Sequence, residues 1–284
     1  MKISLILLNW NGKEILKKAI ESVLKQSYEN YEILVLDNGS IDGSNEMVEK
    51  NYPQIKLIKL GKNLGIIEPR NIGMKNANGE LLFILDNDAE LKEDAFEKTI
   101  KEFENKKLGI LSCSLRDKKN KTSVWMHNFP KEKYDDKKFL TTIYSGGAHV
   151  IRKSILEKTG YYPKYYFITA EEMDLSLRVL DNDYDITYCP NIIAYHKQRS
   201  EKDISELSNF LAMRNMYWVY WRLFPLDYAL LRMLKKFFRD FFKLNFLKSV
   251  WASFKKIPSI SRCPIKRTTL NRIKQLEKRP HLLN

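Results

Sequence analysis

Short apolar runs alternate with segments of helical spacing through the first 115 residues. The apolar runs predict buried strands at residues 3–8, 32–36, 55–60, 81–85 and 109–115. Apolar residues three and four apart predict helices at residues 14–25 and 93–104, with shorter helices ending near Lys50 and Gly79. Repeated strand–helix–strand units predict an α/β fold, in which a Rossmann-like, mostly parallel central sheet is flanked by helices.

The pattern changes twice in the rest of the chain. Residues 117–144 give only short, mixed strand and loop signals, and order returns with a turn at 145–148 and helices at 154–159 and 171–180. From residue 209 onward, aromatic and aliphatic residues interleave with basic ones, which predicts amphipathic helices. We therefore expect a body of residues 1–208 and a basic, amphipathic helical tail of residues 209–284.

The net charge of the chain lies in this tail. Residues 209–284 hold 17 lysines and arginines against 3 acidic residues, a net charge of +14 that equals the charge of the whole chain. A neutral body with a basic tail indicates a docking segment, and we expect no nucleic-acid partner.

The tail is predicted to bind a membrane surface without crossing it. No run reaches the roughly 18–20 uncharged apolar residues of a spanning helix, so we expect amphipathic helices in an anionic headgroup layer. The alternative is that a helix at about residues 207–223 packs on the body and the rest contacts another subunit, which leaves a homo-oligomer open.

The cysteines and the N-terminus indicate the compartment. Cys113, Cys189 and Cys263 show no paired spacing, which argues against a disulfide framework or a zinc site. The apolar run at residues 3–8 is too short for a signal peptide. We expect a cytoplasmic protein, peripherally associated with the inner face of the cell membrane.

Three polar clusters follow predicted strands, at residues 9–12, 37–40 and 86–88. In parallel α/β sheets ligands collect beyond the carboxyl ends of the strands, so these clusters should line one crevice. Asp86 and Asp88 are one residue apart and could together hold a hard divalent cation. The alternative is a polar turn whose acids only cap the next helix.

An ordered set of short motifs resembles family 2 glycosyltransferases, which have the GT-A fold. The segments that carry the resemblance are 5–11, 34–40, 63–65, 70–73, 86–88, 146–148 and 171–175. The likeness ends at His196, with Arg214-Asn215 as a weaker match, and covers about residues 1–215. It implies a nucleotide-binding half of about residues 1–115 and an acceptor half of about 116–208. The Asn-Trp-Asn-Gly and Asp-Asn-Gly-Ser variants are similar to rhamnosyltransferase members.

The resemblance implies a role for each matching residue. The nucleotide-binding residues would be Asn9, Asn11, Asp37, Asn63, Arg70 and Asp86. The metal ligands would be Asp86, Asp88 and His196, holding Mn²⁺ or Mg²⁺; the alternative for His196 is an ordinary surface or core histidine. Glu171 would contact the sugar or acceptor. Gly146 and Gly147 have no side chain and would let the backbone approach the sugar or acceptor closely, or they form only a tight turn. The implied reaction is an inverting transfer from a nucleotide-diphosphate sugar to a glycan or lipid-linked acceptor, in cell-surface polysaccharide or glycolipid synthesis.

The catalytic base is expected at the start of the helix predicted at 171–180. Inverting transfer needs a carboxylate that takes the proton of the acceptor hydroxyl. The family usually supplies an aspartate where this chain has Glu172, and Asp174 is the second candidate. Alternatively, Asp174 pairs with Arg178 across one helical turn, and Glu171 and Glu172 only interact with the helix dipole.

Two other functions compete with transfer. A nucleotidyltransferase also combines a Rossmann-like sheet with carboxylate-bound metal, but Asn9-Trp10-Asn11-Gly12 is not the Gly-rich phosphate loop that such enzymes show. A catalytically impaired nucleotide-sugar-binding or scaffold protein would explain the glutamate at position 172.

Overall fold

The computed structural model describes residues 1–196, 206–242 and 246–283. The N-terminal part contains β1 (Ile3–Asn9), α1 (Lys13–Val23), β2 (Tyr31–Asp37), α2 (Ser44–Asn51), β3 (Lys56–Lys59), α3 (Ile67–Asn76), β4 (Leu81–Asp86), β5 (Ala89–Leu91), α4 (Ala95–Glu102) and β6 (Leu108–Arg116). The following part contains α5 (Lys131–Tyr134), β7 (Phe139–Leu140), β8 (Ala148–Arg152), α6 (Ile155–Thr159), α7 (Glu171–Asp181) and β9 (Asp185–His196). The C-terminal part contains α8 (Glu206–Leu223), α9 (Leu226–Asp240), α10 (Phe246–Lys256), α11 (Arg267–Lys278) and β10 (His281–Leu282).

The strands form one sheet in the order β10-β7-β9-β6-β8-β4-β1-β2-β3, and β5 pairs with β9. Strands β3, β2, β1 and β4 are parallel, with Asn9 level with Asp37 and Leu8 level with Asp86. The polar clusters at residues 9–12, 37–40 and 86–88 therefore follow one edge of the sheet. Beyond β4 the sheet is mixed, because β8 runs antiparallel to both β4 and β6.

Apolar residues cover both faces of the sheet. On one face, residues such as Leu5 and Leu7 of β1 pack in a cluster with α1, α2 and α4. On the other face, Ile6 belongs to a cluster that includes residues of α3, α6, α7 and α8. Burial on both faces explains why β1 and β4 are almost continuously apolar. The predicted α/β class with a helix-flanked central sheet is confirmed.

The C-terminal part is helical, but much of it belongs to the core. Helix α8 begins at Glu206, so the expected boundary after residue 208 falls inside a helix. Its residues Tyr217, Trp218 and Tyr220 are buried in the same cluster as α7. The expectation that these aromatic residues lie among lipid headgroups is therefore wrong. The helix packs on the body because its aromatic side chains cover the apolar surface of α7.

The later helices fold back onto this core. The Trp218 indole Nε1 donates to the Ser253 carbonyl at 3.1 Å, which joins α8 to α10. At the start of α11, the Lys266 backbone N–H and the Thr269 hydroxyl each donate to Asp181 Oδ1 at 2.7 Å. Strand β10 then pairs with β7. The described residues of the C-terminal part are thus attached to the rest of the fold at several points.

One face of the C-terminal helices remains apolar and exposed. We call it the α9–α10 face, and its exposed residues are Leu226, Leu230, Leu231, Leu234, Phe238, Phe241, Phe242, Leu247, Trp251 and Phe254. Within the described parts of the chain, no helix combines the length and apolar character needed to cross a bilayer.

Candidate active site

The loops after β1 and β2 are tied together by side chains predicted to bind nucleotide. Asn9 Nδ2 donates to Ser40 Oγ at 3.2 Å, and Asn11 Oδ1 accepts from the Ile41 backbone N–H at 2.9 Å. Asn63 Oδ1 accepts from Asn38 Nδ2 at 3.0 Å, which brings the loop after β3 to the same place. Asn87 Nδ2 donates to Asn9 Oδ1 at 2.9 Å, so the predicted clusters at residues 9–12, 37–40 and 86–88 do lie together.

Asp37 lies at the centre of these loops and is 2% exposed. Its Oδ2 accepts hydrogen bonds from the Ser40 backbone N–H at 3.0 Å and from Asn45 Nδ2 at 3.1 Å. Among the described residues, no group donates to its other oxygen, Oδ1, which is also buried. A buried acceptor without a donor costs free energy, so this oxygen suits a ligand that brings an N–H or O–H group.

Arg70 connects the donor side of the site to the start of α7. Its guanidinium lies 2.9 Å from Asp86 Oδ1 and 3.3 Å from Glu171 Oε1, and it donates to the Gly146 carbonyl at 3.0 Å. Burial alone would lower the pKa of Arg70, but the Asp86 and Glu171 carboxylates outweigh burial and raise it. The side chain is 4% exposed and stays charged, so it acts as a fixed cation between these elements.

The three predicted metal ligands lie together. Asp86, Asp88 and His196 each offer one oxygen or nitrogen atom, and these atoms are all within 4.8 Å of one another. His196 Nε2 is 3.2 Å from Asp88 Oδ1. The antiparallel pairing of β5 with β9 brings His196 next to Asp88, because His196 is the register partner of Ala89, which directly follows Asp88. Two carboxylates and an imidazole are a donor set that fits Mn²⁺ or Mg²⁺.

Glu171 and Glu172 begin α7 and face the same cavity. A Cβ added to Gly146 would meet the Glu172 carboxylate, so the two residues are in direct contact. Burial raises the pKa of both glutamates, and the Glu172 charge raises the pKa of Glu171 further. Arg70 opposes both shifts. Because the two carboxyl groups interact, the protonation of one changes the pKa of the other.

Asp174, the second candidate for the base, lies elsewhere. It is fully buried and accepts from the Tyr166 hydroxyl at 2.9 Å, from Arg178 Nε at 2.7 Å and from Arg222 Nη1 at 2.7 Å. It does not line the cavity that Glu172 lines. The bond from Arg178 lies within α7, as the alternative interpretation expected, and the bonds from Tyr166 and Arg222 join α7 to the preceding segment and to α8. Asp174 is therefore placed away from the cavity, and the structure does not support it as the base.

A cavity of about 820 Å³ joins these groups. Its polar end contains Arg70, Asp86, His196, Glu171 and Glu172, with the backbone of Gly146 and Gly147. Its other walls are mainly apolar and are formed by Leu115, Val124, Trp125, Met126, Ile143, Ile168, Ala170, Met173 and Met216. Charged residues, including Glu172, and apolar residues thus line one cavity.

Residues 4–160, more than half of the 284-residue chain, match the model of glycosyl transferase family 2. The chain belongs to this family. An uncharacterized glycosyltransferase of Bacillus subtilis is 27% identical over 206 residues, which cover 69% of the chain and 50% of that protein. The poly-beta-1,6-N-acetyl-D-glucosamine synthase of Staphylococcus epidermidis is 28% identical over 207 residues, covering 68% and 49%. This family 2 glycosyltransferase spans about half the length of these curated relatives.

Solved glycosyltransferase structures share the fold of this family 2 glycosyltransferase. S. aureus TarS 1–349 superposes with a TM-score of 0.67 at 18% identity, covering 98% of the chain and 85% of TarS. The mannosyltransferase PcManGT from Pyrobaculum calidifontis, in complex with GDP-Man and Mn²⁺, gives a TM-score of 0.61 at 16% identity, covering 96% and 79%. The predicted GT-A fold and family are confirmed.

Sequence reasoning missed part of the site of this family 2 glycosyltransferase. Ser208 and Met216 of α8 line the cavity, although the charge pattern assigns most of that helix to the tail. Trp125 and Met126 also line the cavity and lie in residues 117–144, which show no clear pattern. A tryptophan within this lysine-rich segment was the one sequence feature that could have indicated a buried or binding position. Their position depends on long-range packing, which periodicity does not report.

Proposed function

We propose that this chain is an inverting, metal-dependent glycosyltransferase that moves a sugar from a nucleotide diphosphate to an acceptor hydroxyl. The observation that carries the proposal is the Arg70 bridge, which joins Asp86 to Glu171 within one cavity. Relatives support the substrate class. TarS has been solved with UDP-GlcNAc, and a curated relative is a polysaccharide synthase. We infer a role in cell-surface polysaccharide or glycolipid synthesis.

Asp86, Asp88 and His196 would hold the divalent cation, Mn²⁺ or Mg²⁺. When bound, the cation supplies Lewis-acid neutralisation of the charge that grows on the leaving diphosphate. Asp37 would accept from the base or ribose of the donor through its buried Oδ1, and Asn9, Asn11 and Asn63 would shape the loops around it. Arg70 keeps Asp86 oriented at the phosphate end of the cavity.

Glu172 is assigned as the general base. The acceptor oxygen forms a bond to the anomeric carbon while the bond from that carbon to the diphosphate oxygen breaks. The acceptor proton passes to the Glu172 carboxylate, and the nucleotide diphosphate leaves from the opposite face. Gly146 leaves room for the carboxylate, since a side chain there would occupy the same space. Glu171 and Gly147 lie beside this point and would contact the sugar or acceptor.

A panel of nucleotide sugars with Mn²⁺ and product identification tests this function. Released nucleotide diphosphate supports a transferase, released pyrophosphate would indicate a nucleotidyltransferase, and neither product would indicate a binding or scaffold protein. Glu172→Gln should lower transfer by about 10²–10⁴-fold while calorimetry still detects nucleotide binding. Glu157→Gln, an exposed change on α6, is the matched control and should retain wild-type turnover.

We also propose that the α9–α10 face docks on an anionic membrane surface. Phe242, Leu247 and Trp251 are 94%, 70% and 68% exposed. Exposed basic residues lie among these side chains: Lys235, Arg239, Lys248, Lys255 and Lys256. A second copy of the chain would bring like charges together, whereas anionic headgroups complement them and the apolar residues can insert below. A lipid-linked glycan acceptor would be presented at such a surface.

Vesicle flotation tests the docking surface. Full-length protein should float with vesicles containing phosphatidylglycerol, and a triple serine variant at Phe242, Leu247 and Trp251 should not. Ile41→Ser, which removes a 92% exposed apolar residue of the body, is the matched control and should float as wild type does. Equal flotation of the wild type and the triple variant would contradict the proposal. Point variants are preferable to truncation, because removing α8 would expose the core.

A further inference from the structure

The loop before α7 has an unusual backbone. Phe167, Thr169 and Ala170 have positive φ values of 67°, 69° and 73°, which residues with a side chain rarely adopt. Three such residues within four positions, one of them β-branched, persist only when the surroundings hold them. The loop ends at Glu171, so its conformation decides how Glu171 and Glu172 enter the cavity.

Asn215 of α8 holds this loop. The side chain is fully buried, and its Nδ2 lies 3.1 Å from the Tyr166 carbonyl, 2.8 Å from the Ile168 carbonyl and 3.0 Å from the Thr169 carbonyl. An amide nitrogen has two hydrogens, so the three acceptors share them. The Tyr166, Ile168 and Thr169 carbonyls converge on this one donor, and Phe167, between the first two, has a positive φ.

Arg214 fixes the orientation of that amide. Its Nη2 and Nε donate to Asn215 Oδ1 at 2.8 Å and 3.0 Å, and its guanidinium stacks 4.1 Å from the Trp218 ring centroid. With the oxygen facing a cation, the Nδ2 group must face the loop. A reversed amide would place its oxygen against three carbonyl oxygens and its N–H groups against the guanidinium.

The same loop is bonded to the donor side of the site. The Phe167 carbonyl accepts from the Ile66 backbone N–H at 2.9 Å, directly before α3, which carries Arg70. Gly65 packs so closely on Phe167 that an added Cβ would lie 2.6 Å from the ring. The loop is therefore held from α8 on one side and from the start of α3 on the other.

We propose that Asn215 is a positioning residue for the transfer step, which sets the place of Glu172 by fixing the loop of residues 166–170. The inference rests on the proposed function, in which Glu172 is the general base that takes the acceptor proton. Asn215 does not itself line the cavity, so it acts through the loop. A residue that only stabilises the fold would affect kcat no more than any other buried residue of α8.

The test compares Asn215→Ala and Asn215→Asp with Leu223→Ala. The aspartate variant keeps the size and the contact with Arg214 but cannot donate to the loop, and it remains informative where the alanine variant folds poorly. Leu223 is a fully buried residue of the same helix. Its alanine variant is the matched control, because it should lower the stability of the fold without changing a contact to the loop. We expect both Asn215 variants to lose at least about tenfold in kcat with the donor KM within about twofold. Leu223→Ala should keep kcat per folded molecule.

Wild-type kcat in either Asn215 variant overturns the proposal, and so does an equal loss in Leu223→Ala at the same melting temperature. Hydrogen exchange of peptides covering residues 166–174 gives a readout independent of turnover. These peptides should exchange faster in both Asn215 variants than in Leu223→Ala, and unchanged exchange also overturns the proposal. If the wild-type chain shows no turnover with any donor, the proposed function fails, while exchange still decides whether Asn215 holds the loop.

Discussion

A single methyl group added at Gly146 should disable transfer without unfolding the protein. A Cβ at this position would overlap Oε1 of Glu172 and lie 3.3 Å from its Cδ. The overlapping atom is the free end of a flexible side chain, so the backbone can stay in place while the carboxylate moves away. Relief of the overlap needs a displacement of about 1 Å, because nonbonded heavy atoms rest about 3.5 Å apart.

A displacement of that size at a reacting group lowers the rate about 100-fold. This loss corresponds to about 2.7 kcal/mol in activation free energy. For Gly146→Ala we therefore expect kcat to fall about 100-fold, whereas the donor KM should change little, because the metal cluster is not disturbed. The free energy of unfolding should change by less than about 1 kcal/mol.

Steady-state release of nucleotide diphosphate measures the rate, and urea unfolding measures the stability. Glu172→Asp supplies the control, because the side chain shortened by one methylene withdraws from the added methyl group. In a double-mutant cycle, Gly146→Ala should therefore lower kcat by a much smaller factor in the Glu172→Asp background than in the wild type. Full activity of Gly146→Ala, or equal losses in both backgrounds, would refute the reasoning.

Other contacts of the site lead to separate expectations. Burial raises the pKa of Glu172, and a base acts only when ionised, so kcat should fall as the pH drops through a midpoint above the ordinary glutamate value of about 4.3. A pH–rate profile with its midpoint at or below that value would contradict this. Asp174→Asn should destabilise the fold by about 3 kcal/mol in urea titration, since Arg178 and Arg222 lose their charge partner, with kcat per folded molecule retained. EDTA should abolish transfer, and Asp88→Asn should raise the Mn²⁺ concentration for half-maximal rate at least about tenfold; turnover without metal would count against the cluster.

The nucleotide half of the fold could be predicted from the sequence because its signals are local. The buried strands β1, β2 and β4 are continuous apolar runs, and each is followed by a polar cluster. Parallel pairing brings those clusters to one edge whatever the details of packing. Asp37 and Asp86 could therefore be placed in one crevice without any knowledge of the tertiary contacts.

The rest of the site depends on contacts between residues far apart in the chain. The pairing of His196 with Asp88 is expected from the family resemblance and not from a local pattern, because it depends on the three-residue strand β5 pairing with the end of β9, and so short a strand leaves no recognisable pattern. Asp174 has the same spacing to Arg178 whether or not it is catalytic, and only its contact with Arg222 distinguishes the two cases. Charge counting assigns most of α8 to a tail because the basic residues that follow this helix dominate the count, although Tyr217, Trp218 and Tyr220 are buried.

Helix α8 contacts both the cavity and the loop before α7, and this limits where the C-terminal segment can be exchanged for that of a relative. One face of the helix supplies Met216 to the cavity, and another supplies Asn215 to the loop before the base. A graft that joins foreign C-terminal sequence at the end of β9 would replace residues that line the cavity together with the segment that we propose to dock on a membrane. Chimeras meant to change only the proposed membrane-docking segment should be joined after Leu223, so that α8 stays with the cavity that it lines.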